Sequence, residues 1–347
     1  MTFLKCIIIF LFGCNIKYSA SASSKLGCRD HENKLVDWYV LYKIPKLSDS
    51  SEPLIRNGSG YMYITSNSIH KGWELSNKHI GDKKSIPGNT LAPLYNDKIA
   101  EDTLWVLYND DPPDRSVVGT YGHTKGVVAT DKNQGFWMIH SVPNFPPVPR
   151  KGISMRHKTI NNILSTIYRK NLPTDISTQY PVLTNAANQV RIKDPPYNNK
   201  VIIKSSASLE FVSFAKSDKW QKDLYSDFVA PQLRSNILVE SYLNGQGRLP
   251  SDCHGVKVHN IESIKLQAAN FASSQDHSKW VVTETSKRNN SWICVGDINR
   301  ADTQYNRGGG TVCLKLYDLW KNYRNSVNDI EPCPRRSLFN RIKSWFA

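Results

Sequence analysis

Tyr121-Gly122-His123-Thr124-Lys125-Gly126-Val127 and Asp276-His277-Ser278-Lys279-Trp280 carry one short phrase twice, a histidine and a lysine separated by a single residue. Each copy then reaches a tryptophan and, seven residues beyond it, an asparagine: Trp137 and Asn144 in the first, Trp292 and Asn299 in the second. Both tryptophans open apolar stretches, Trp137-Met138-Ile139 and Trp292-Ile293-Cys294, and both copies go on to a basic residue and a glycine, at Arg150-Lys151-Gly152 and Arg307-Gly308. A lone His-x-Lys triplet in a lysine-rich chain means little. The shared downstream spacing makes two triplets into a repeat. It predicts two half-domains, each donating one imidazole and one ammonium to a shared centre. Such a set suits attack on a phosphodiester without a metal ion, because a neutral imidazole is a nucleophile and an ammonium neutralises anionic oxygens.

The local patterns around the repeat are strand-like. Val36-Asp37-Trp38-Tyr39-Val40-Leu41-Tyr42, Gly60-Tyr61-Met62-Tyr63-Ile64-Thr65, Leu104-Trp105-Val106-Leu107-Tyr108 and Phe136-Trp137-Met138-Ile139 are rich in aromatic and β-branched residues. His123 and Lys125 lie between Ser116-Val117-Val118 and Val127-Val128-Ala129. On an extended segment residues i and i+2 share a face, so the histidine and lysine of each copy project together. Asn109-Asp110-Asp111-Pro112-Pro113 reads as a turn-rich loop, and Asn144-Phe145-Pro146-Pro147-Val148-Pro149 as the end of the first run of strands. Helical spacing follows around Ile160–Ile167 and from Trp220 to Tyr242, with a break at Pro231. Strands are predicted again near Ile261–Leu266, Trp280–Thr283 and Trp292–Val295, then a Gly308-Gly309-Gly310 loop and a helix from Leu314 to Tyr323. The expected architecture is α/β: an N-terminal half over residues 23–192, a connection at 193–200 and a C-terminal half over 201–347.

Residues 1–22 have the basic start, short apolar block and Ala20-Ser21-Ala22 site of a secretory signal peptide. No later apolar run approaches membrane length, so a secreted or lysosomal chain without a membrane anchor is expected. The formal net charge of +15 includes Lys5 and Lys17 in the leader, which leaves +13 on the remainder. That excess favours polyanionic partners, whether nucleic acid, anionic glycan or acidic lipid. Beyond the leader stand Cys28, Cys253, Cys294, Cys313 and Cys333, whose spacing fits disulfides better than a metal site. Five is odd, and Cys28, alone near the N-terminus, is the first choice for the unpaired thiol. Asn57-Gly58-Ser59 and Asn289-Asn290-Ser291 are glycosylation acceptors, which belong on exposed loops. Arg335, Arg336, Arg341 and Lys343 make a basic tail that reads as a solvated end.

With these residues in view, the chain resembles the deoxyribonuclease II family. The resemblance is carried by the two His-x-Lys segments and by Gly135-Phe136-Trp137-Met138-Ile139-His140-Ser141-Val142-Pro143. Val36-Asp37-Trp38-Tyr39-Val40-Leu41-Tyr42-Lys43 and Arg307-Gly308-Gly309-Gly310-Thr311-Val312-Cys313 add to it, in the family's order along nearly the whole chain. It implies a phospholipase D-like fold of two pseudo-symmetric α/β halves sharing one active site. It further implies an acid endonuclease acting on DNA, with no metal and no cofactor, that leaves 3′-phosphate ends. His123, Lys125, His277 and Lys279 match the catalytic motifs. Cys253 is implied to pair with Cys333 and Cys294 with Cys313, while the family's usual partner for the first cysteine is missing here.

The broader superfamily often has an aspartate five residues after the motif lysine, where this chain has Thr130 and Glu284; Glu284 is expected to be exposed. Gly296-Asp297-Ile298-Asn299 resembles the superfamily's asparagine element, which makes Asn299 and, by the repeat, Asn144 candidate substrate contacts. His140 is expected to be a hydrogen-bonded structural histidine, and Trp137 and Trp292 to be core. Two rival readings share the scaffold: a basic protein that binds DNA without cutting it, and a phospholipase acting on acidic lipids.

Overall fold

The computed structural model describes residues 26–95, 103–111, 121–131, 134–144, 146–147, 166–169 and 192–333, with positions 119 and 185. The leader, the Ser116-Val117-Val118 segment, Arg150-Lys151-Gly152 and the basic tail lie outside the described residues. The fold is mixed α/β and mostly sheet. A small antiparallel sheet, β1 (Tyr39–Lys43), β2 (Tyr61–Thr65) and β3 (Glu74–Leu75), comes first. An antiparallel four-stranded sheet follows: β4 (Leu104–Asn109), β5 (Lys125–Thr130), β6 (Gly135–Ile139) and β7 (Thr166–Arg169), in the order β6-β5-β4-β7.

The rest of the chain forms one nine-stranded sheet. Its members are β8 (Asn198–Lys204), β9 (Glu210–Lys216), β10 (Ile237–Glu240), β11 (Val258–Leu266), β12 (Ala269–Ala272), β13 (Trp280–Thr283), β14 (Trp292–Gly296), β15 (Gly309–Lys315) and β16 (Val327–Ile330). The order is β12-β11-β10-β13-β14-β15-β9-β8, with β16 beside β11. Only β10 and β11 run parallel among these pairs.

Among the described residues four α-helices accompany the strands: α1 (Pro53–Arg56), α2 (Ile86–Tyr95), α3 (Ala230–Leu233) and α4 (Tyr317–Ser326). Ser85 starts α2, its hydroxyl oxygen accepting the Gly88 N–H at 3.1 Å, as an N-terminal cap should. The strands that follow the two His-x-Lys phrases, β5 and β13, and β10 beside β13 are buried at every position.

Three larger cores and a small cluster of Tyr61, Ile80 and Ile86 hold these layers. Tyr42, Met62 and Ile64 of the small sheet pack with Leu238, Trp280, Ile293 and Leu314 of the large one and with Leu319, Trp320 and Tyr323 of α4. The other face of the large sheet buries Phe214, Val239 and Val281 against Leu224, Tyr225, Val229 and Leu233. The four-stranded sheet has its own core, in which Trp105, Leu107, Val127 and Phe136 meet Leu91 and Leu94 of α2. The Cys253–Cys333 and Cys294–Cys313 disulfides form, and Cys28 is a free thiol whose burial pushes it up to about 12. Among the described residues no helix is long and apolar enough to cross a membrane.

Several expected elements differ. Thr166 and Ile167 open a strand, not a helix, so strands continue past the Asn144–Pro149 loop; residues 160–165 lie outside the described part. Trp220 to Tyr242 is not one helix. A π-helical turn at Tyr225–Val229 leads into α3, where Pro231 sits in the first turn and needs no hydrogen-bonded N–H. Arg234 then takes a left-handed conformation at φ 51°, and Ile237–Glu240 becomes β10 because its apolar run completes the sheet between β11 and β13. Gly309 and Gly310 are the first residues of β15, and Leu314 and Lys315 its last, so the terminal helix begins at Tyr317. The last three residues of the segment 193–200 belong to β8, which starts at Asn198.

Candidate active site

Both His-x-Lys phrases stand at the entrance of a buried strand. Lys125 is the first residue of β5, and Lys279 immediately precedes β13. The strands around them repeat as well. β5 lies between β4 and β6, and β13 between β10 and β14, all antiparallel. Gly126 follows the first lysine because a Cβ there would lie 2.6 Å from the Met138 carbonyl oxygen and closer still to the Tyr108 hydroxyl.

Segments far apart in sequence are tied together beside the first histidine. The His123 N–H donates to the Gly308 carbonyl at 2.9 Å. Arg307 donates through Nε to the Tyr121 carbonyl and through Nη2 to Asp110 Oδ2, both at 2.7 Å. The other oxygen of Asp110 accepts from Lys125 Nζ at 2.5 Å, with the two side chains only 5% and 2% exposed. One carboxylate therefore holds the motif lysine of one half and an arginine of the other. Lys216 secures the same loop from below, donating to the carbonyls of Gln304 and Arg307 at 2.7 Å and of Tyr305 at 3.2 Å.

The charges of both motif lysines act on both motif histidines. Burial, followed by the charges of Lys279, Lys125 and Arg307, holds His123 well below the ordinary histidine range, and hydrogen bonding with the Asp297 backbone opposes this in part. Burial, then Lys279, Lys125 and Lys43, brings His277 down to about 4. Each imidazole thus feels the lysine of its own copy and that of the other. Burial and the neighbouring Lys125 ammonium lower Lys279 to about 7. Burial raises Asp297 to about 7, against the Gly310 N–H that donates to its Oδ1 at 2.8 Å.

The two histidines have different surroundings. His123 Nδ1 is buried without a hydrogen-bond partner among the described residues. His277 lies face to face with Tyr242, the ring centres 4.3 Å apart and the planes 17° from parallel. The Tyr242 N–H in turn donates to Asn299 Oδ1 at 3.3 Å. Lys279 Nζ donates to the His277 carbonyl at 2.6 Å. Below it lie two buried carboxyls. Asp276 accepts from Tyr42 Oη at 2.6 Å and from the Ser278 N–H and hydroxyl, while Glu240 accepts from the Ser273 hydroxyl at 2.5 Å. Burial raises both; the Asp276 charge raises Glu240 further, while hydrogen bonds from Ser278 and Tyr42 oppose the rise of Asp276.

His277 and Lys279, but not His123 or Lys125, line a cavity of about 940 Å³. Its walls come from both halves, including Lys43 and Tyr42 of β1, Trp137 and His140 of the first copy, and Val295 of β14.

Asn299 is half-buried and holds the backbone behind His277. Asn144 is exposed and sits in a left-handed conformation at φ 57°, its N–H bonded to the Asp111 carbonyl at 3.0 Å. The two asparagines are therefore equivalent in sequence and not in structure. Glu284 is neither exposed nor a histidine partner: it is half-buried and accepts from Asn236 Nδ2 at 2.8 Å. Thr130 is buried and donates to the carbonyls of Asp131 and Gln134. His140 hydrogen-bonds with the Val142 backbone and is brought down to about 3 by burial and Lys125, as a structural histidine would be. Trp137 and Trp292 are half-buried: Trp292 packs against the core on the second face of the large sheet, and Trp137 donates to Tyr108 Oη at 2.9 Å. Asn57 and Asn289 are both exposed.

Among the described residues one His/Cys/Asp/Glu group is close enough to share an ion, Cys253, His259 and Cys333, and its two sulfurs are already bonded to each other. Asp110 and Arg307 were visible in the sequence only as a turn residue and as the basic end of the repeat. Tyr242 gave no signal, since its place depends on strand pairing.

Two imidazoles, each in the field of both motif lysines, thus stand in a disulfide-bonded α/β chain. The Deoxyribonuclease II family profile matches residues 27–165 and 157–333. Plancitoxin-1 of Acanthaster planci is 33% identical over 338 residues, covering 90% of this chain and 93% of the relative. Cell death-related nuclease 6 of Caenorhabditis elegans is 34% identical, covering 89% of each chain, and Deoxyribonuclease-2-alpha of Mus musculus is 33% identical, covering 89% and 94%. The chain belongs to the deoxyribonuclease II family.

Proposed function

We propose that the chain is a secreted or lysosomal acid endodeoxyribonuclease that hydrolyses DNA phosphodiesters through a phosphohistidine, without a metal ion, on a phospholipase D-like scaffold. The observation that carries this reading is the cross-influence of the two copies: each histidine lies in the field of both motif lysines. His123, Lys125, His277 and Lys279 are the catalytic set.

The division of labour follows from the surroundings. His123 is held in its neutral form by burial, with an unpartnered Nδ1, which suits a nucleophile. His277 faces the cavity and can exchange protons with solvent, which suits an acid and base. A neutral nitrogen of His123 attacks phosphorus and the P–O5′ bond breaks. Protonated His277 gives its proton to the departing O5′. His277, now neutral, takes a proton from water, whose oxygen attacks phosphorus and breaks the P–N bond, freeing a 3′-phosphate and restoring His123. Lys279 has no carboxylate within ion-pair distance among the described residues, so its charge is available to the phosphoryl oxygens; Lys125 is shared with Asp110.

Plasmid nicking at pH 5 in the presence of a chelator, followed by end-group analysis, tests this reading. Nicking with 3′-phosphate ends is expected. Retention of plasmid without nicking would instead describe a DNA-binding protein, and hydrolysis of phosphatidylcholine alone would describe a phospholipase.

A further inference from the structure

The two copies of the motif are braced differently, and the strand registers show where. Asn109 pairs with Lys125 across β4 and β5, which sets Asp110 opposite Thr124, the middle residue of the first phrase. Glu240 pairs with Trp280 across β10 and β13, and two residues further on the same antiparallel register sets Tyr242 opposite Ser278, the middle residue of the second. Asp110 and Tyr242 therefore hold the same station, one residue type in each half. In the first half that station supplies a carboxylate, which binds the lysine at 2.5 Å. In the second it supplies a flat ring, which stacks on the histidine at 4.3 Å and 17°.

We infer that Tyr242 is a positioning residue for His277, fixing the plane of the imidazole by ring stacking, and that Asn299 acts through Tyr242 and not on the substrate. The inference rests on the reading of His277 as the acid and base of the reaction. His277 is exposed and precedes the strand, so its ring plane is not set by a surrounding core. The charged groups that act on it are Lys43 of β1, Lys125 of β5 and Lys279 beside it, all cations that repel the protonated ring and none of which orients it. The ring of Tyr242 supplies orientation without charge. Its own backbone is pinned by Asn299 at 3.3 Å, and its neighbour Ser241 is tied to the Arg300 N–H at 3.3 Å. An offset face-to-face contact between planar rings holds one ring parallel to the other. That constraint leaves rotation of the leaving proton's donor nitrogen out of the reaction's entropy cost.

The test compares Tyr242→Leu, Tyr242→Phe and Asn299→Ala with the parent protein. The inference expects kcat of Tyr242→Leu to fall by about tenfold or more while KM stays within about threefold, since misorientation acts on the reacting state and not on binding. Tyr242→Phe keeps the flat face and is expected to restore the parent rate within about twofold, as the stacking needs no hydroxyl. Asn299→Ala is expected to lie between them in kcat. The His277 imidazole is also titrated by NMR: Tyr242→Leu uncovers one face of the ring, so its pKa rises from the parent value toward the ordinary histidine value. This second readout needs no turnover, so it separates the inference from the proposed activity. A parent protein that does not cut DNA would defeat the activity while the titration still tests the contact. An unchanged kcat and an unchanged titration in Tyr242→Leu would overturn the inference. So would a loss confined to KM, which would make Tyr242 a base-stacking surface, or a Phe variant as impaired as the Leu one.

Discussion

Asp110 and Arg307, from the two halves of the chain, form an ion pair at 2.7 Å, and the second oxygen of the same carboxylate holds Lys125. The pair sits at the junction where His123 also binds the Gly308 carbonyl. The position of the first histidine relative to the second thus depends on a charge cluster that is almost wholly removed from solvent.

Asp110→Asn should therefore be costly. It leaves the Lys125 ammonium buried without its counter-charge, and removing one partner of a buried pair costs about 3–5 kcal/mol. Urea denaturation at pH 7 should show that loss, and cleavage should fall with it even where the variant is fully folded. Adding Arg307→Leu to Asp110→Asn should cost less than the sum of the two single changes, since the second charge then has no lost partner. A strictly additive cycle would show that the cluster does not act as a unit.

Cleavage should rise as pH falls below the ordinary histidine range. His277 donates a proton in the first step, and it is held near 4, so the protonated fraction grows from neutrality down to that value. The bound phosphate carries negative charge and will raise it somewhat, so the alkaline limb of kcat belongs between about 4 and 6.5. A profile of plasmid nicking from pH 3.5 to 8 checks this. A limb above pH 8 would contradict it.

Stability should respond to acid in a way that identifies Asp297. The two depressed histidines bind protons in the unfolded chain before they do so in the folded one, so their effect is to weaken the fold as pH drops below 6.5. Asp297 works in the opposite sense. Raised to about 7, it takes up its proton earlier in the folded state, which strengthens the fold as pH falls from 7 toward the ordinary aspartate value. Asp297→Asn removes that offset. Its stability should fall more steeply than the parent's between pH 7 and 4, by up to about 1.4 kcal/mol per pH unit. Chemical denaturation at several pH values reads the difference, and parallel curves would refute it.

The asparagines should separate. Asn144 is exposed and has a positive φ, so Asn144→Gly relieves backbone strain and should leave cleavage within about twofold of the parent. A loss as large as that of Asn299→Ala would mean that Asn144 meets the substrate.

Much of this was legible in the sequence, and what was not has a physical reason. Trp280–Thr283 and Leu104–Asn109 are short apolar runs flanked by polar residues, and both are strands within a residue of where the pattern puts them. The same kind of run at Ile237–Glu240 was absorbed into a helix because the preceding residues, Leu224 to Leu233, do have helical spacing. Periodicity cannot separate a buried strand from one more helical turn. Leu314 and Lys315 read as the start of a helix, yet Cys313 is bonded to its cross-strand neighbour Cys294, and β15 continues two residues beyond it. The histidines and lysines were legible because chemistry and spacing repeat along the chain. Asp110 and Tyr242 were not, because their equivalence exists only in the pairing of β4 with β5 and of β10 with β13. The sequence relation of Asn144 to Asn299 was plain, but not their different surroundings, since only Asn299 bonds the backbone of Tyr242.

The most direct test of the chemistry is to trap the covalent intermediate. Thymidine 3′-(4-nitrophenyl phosphate) has a leaving group that departs without a proton, so His277→Ala should still release one nitrophenolate per site. It should then stall, because no base activates the water that frees the phosphoryl group. Peptide mass spectrometry after an alkaline quench should find thymidine 3′-phosphate attached to His123. An adduct on His277 in a His123→Ala protein, or nitrophenolate release by His277→Ala with no adduct on either histidine, would contradict the pathway.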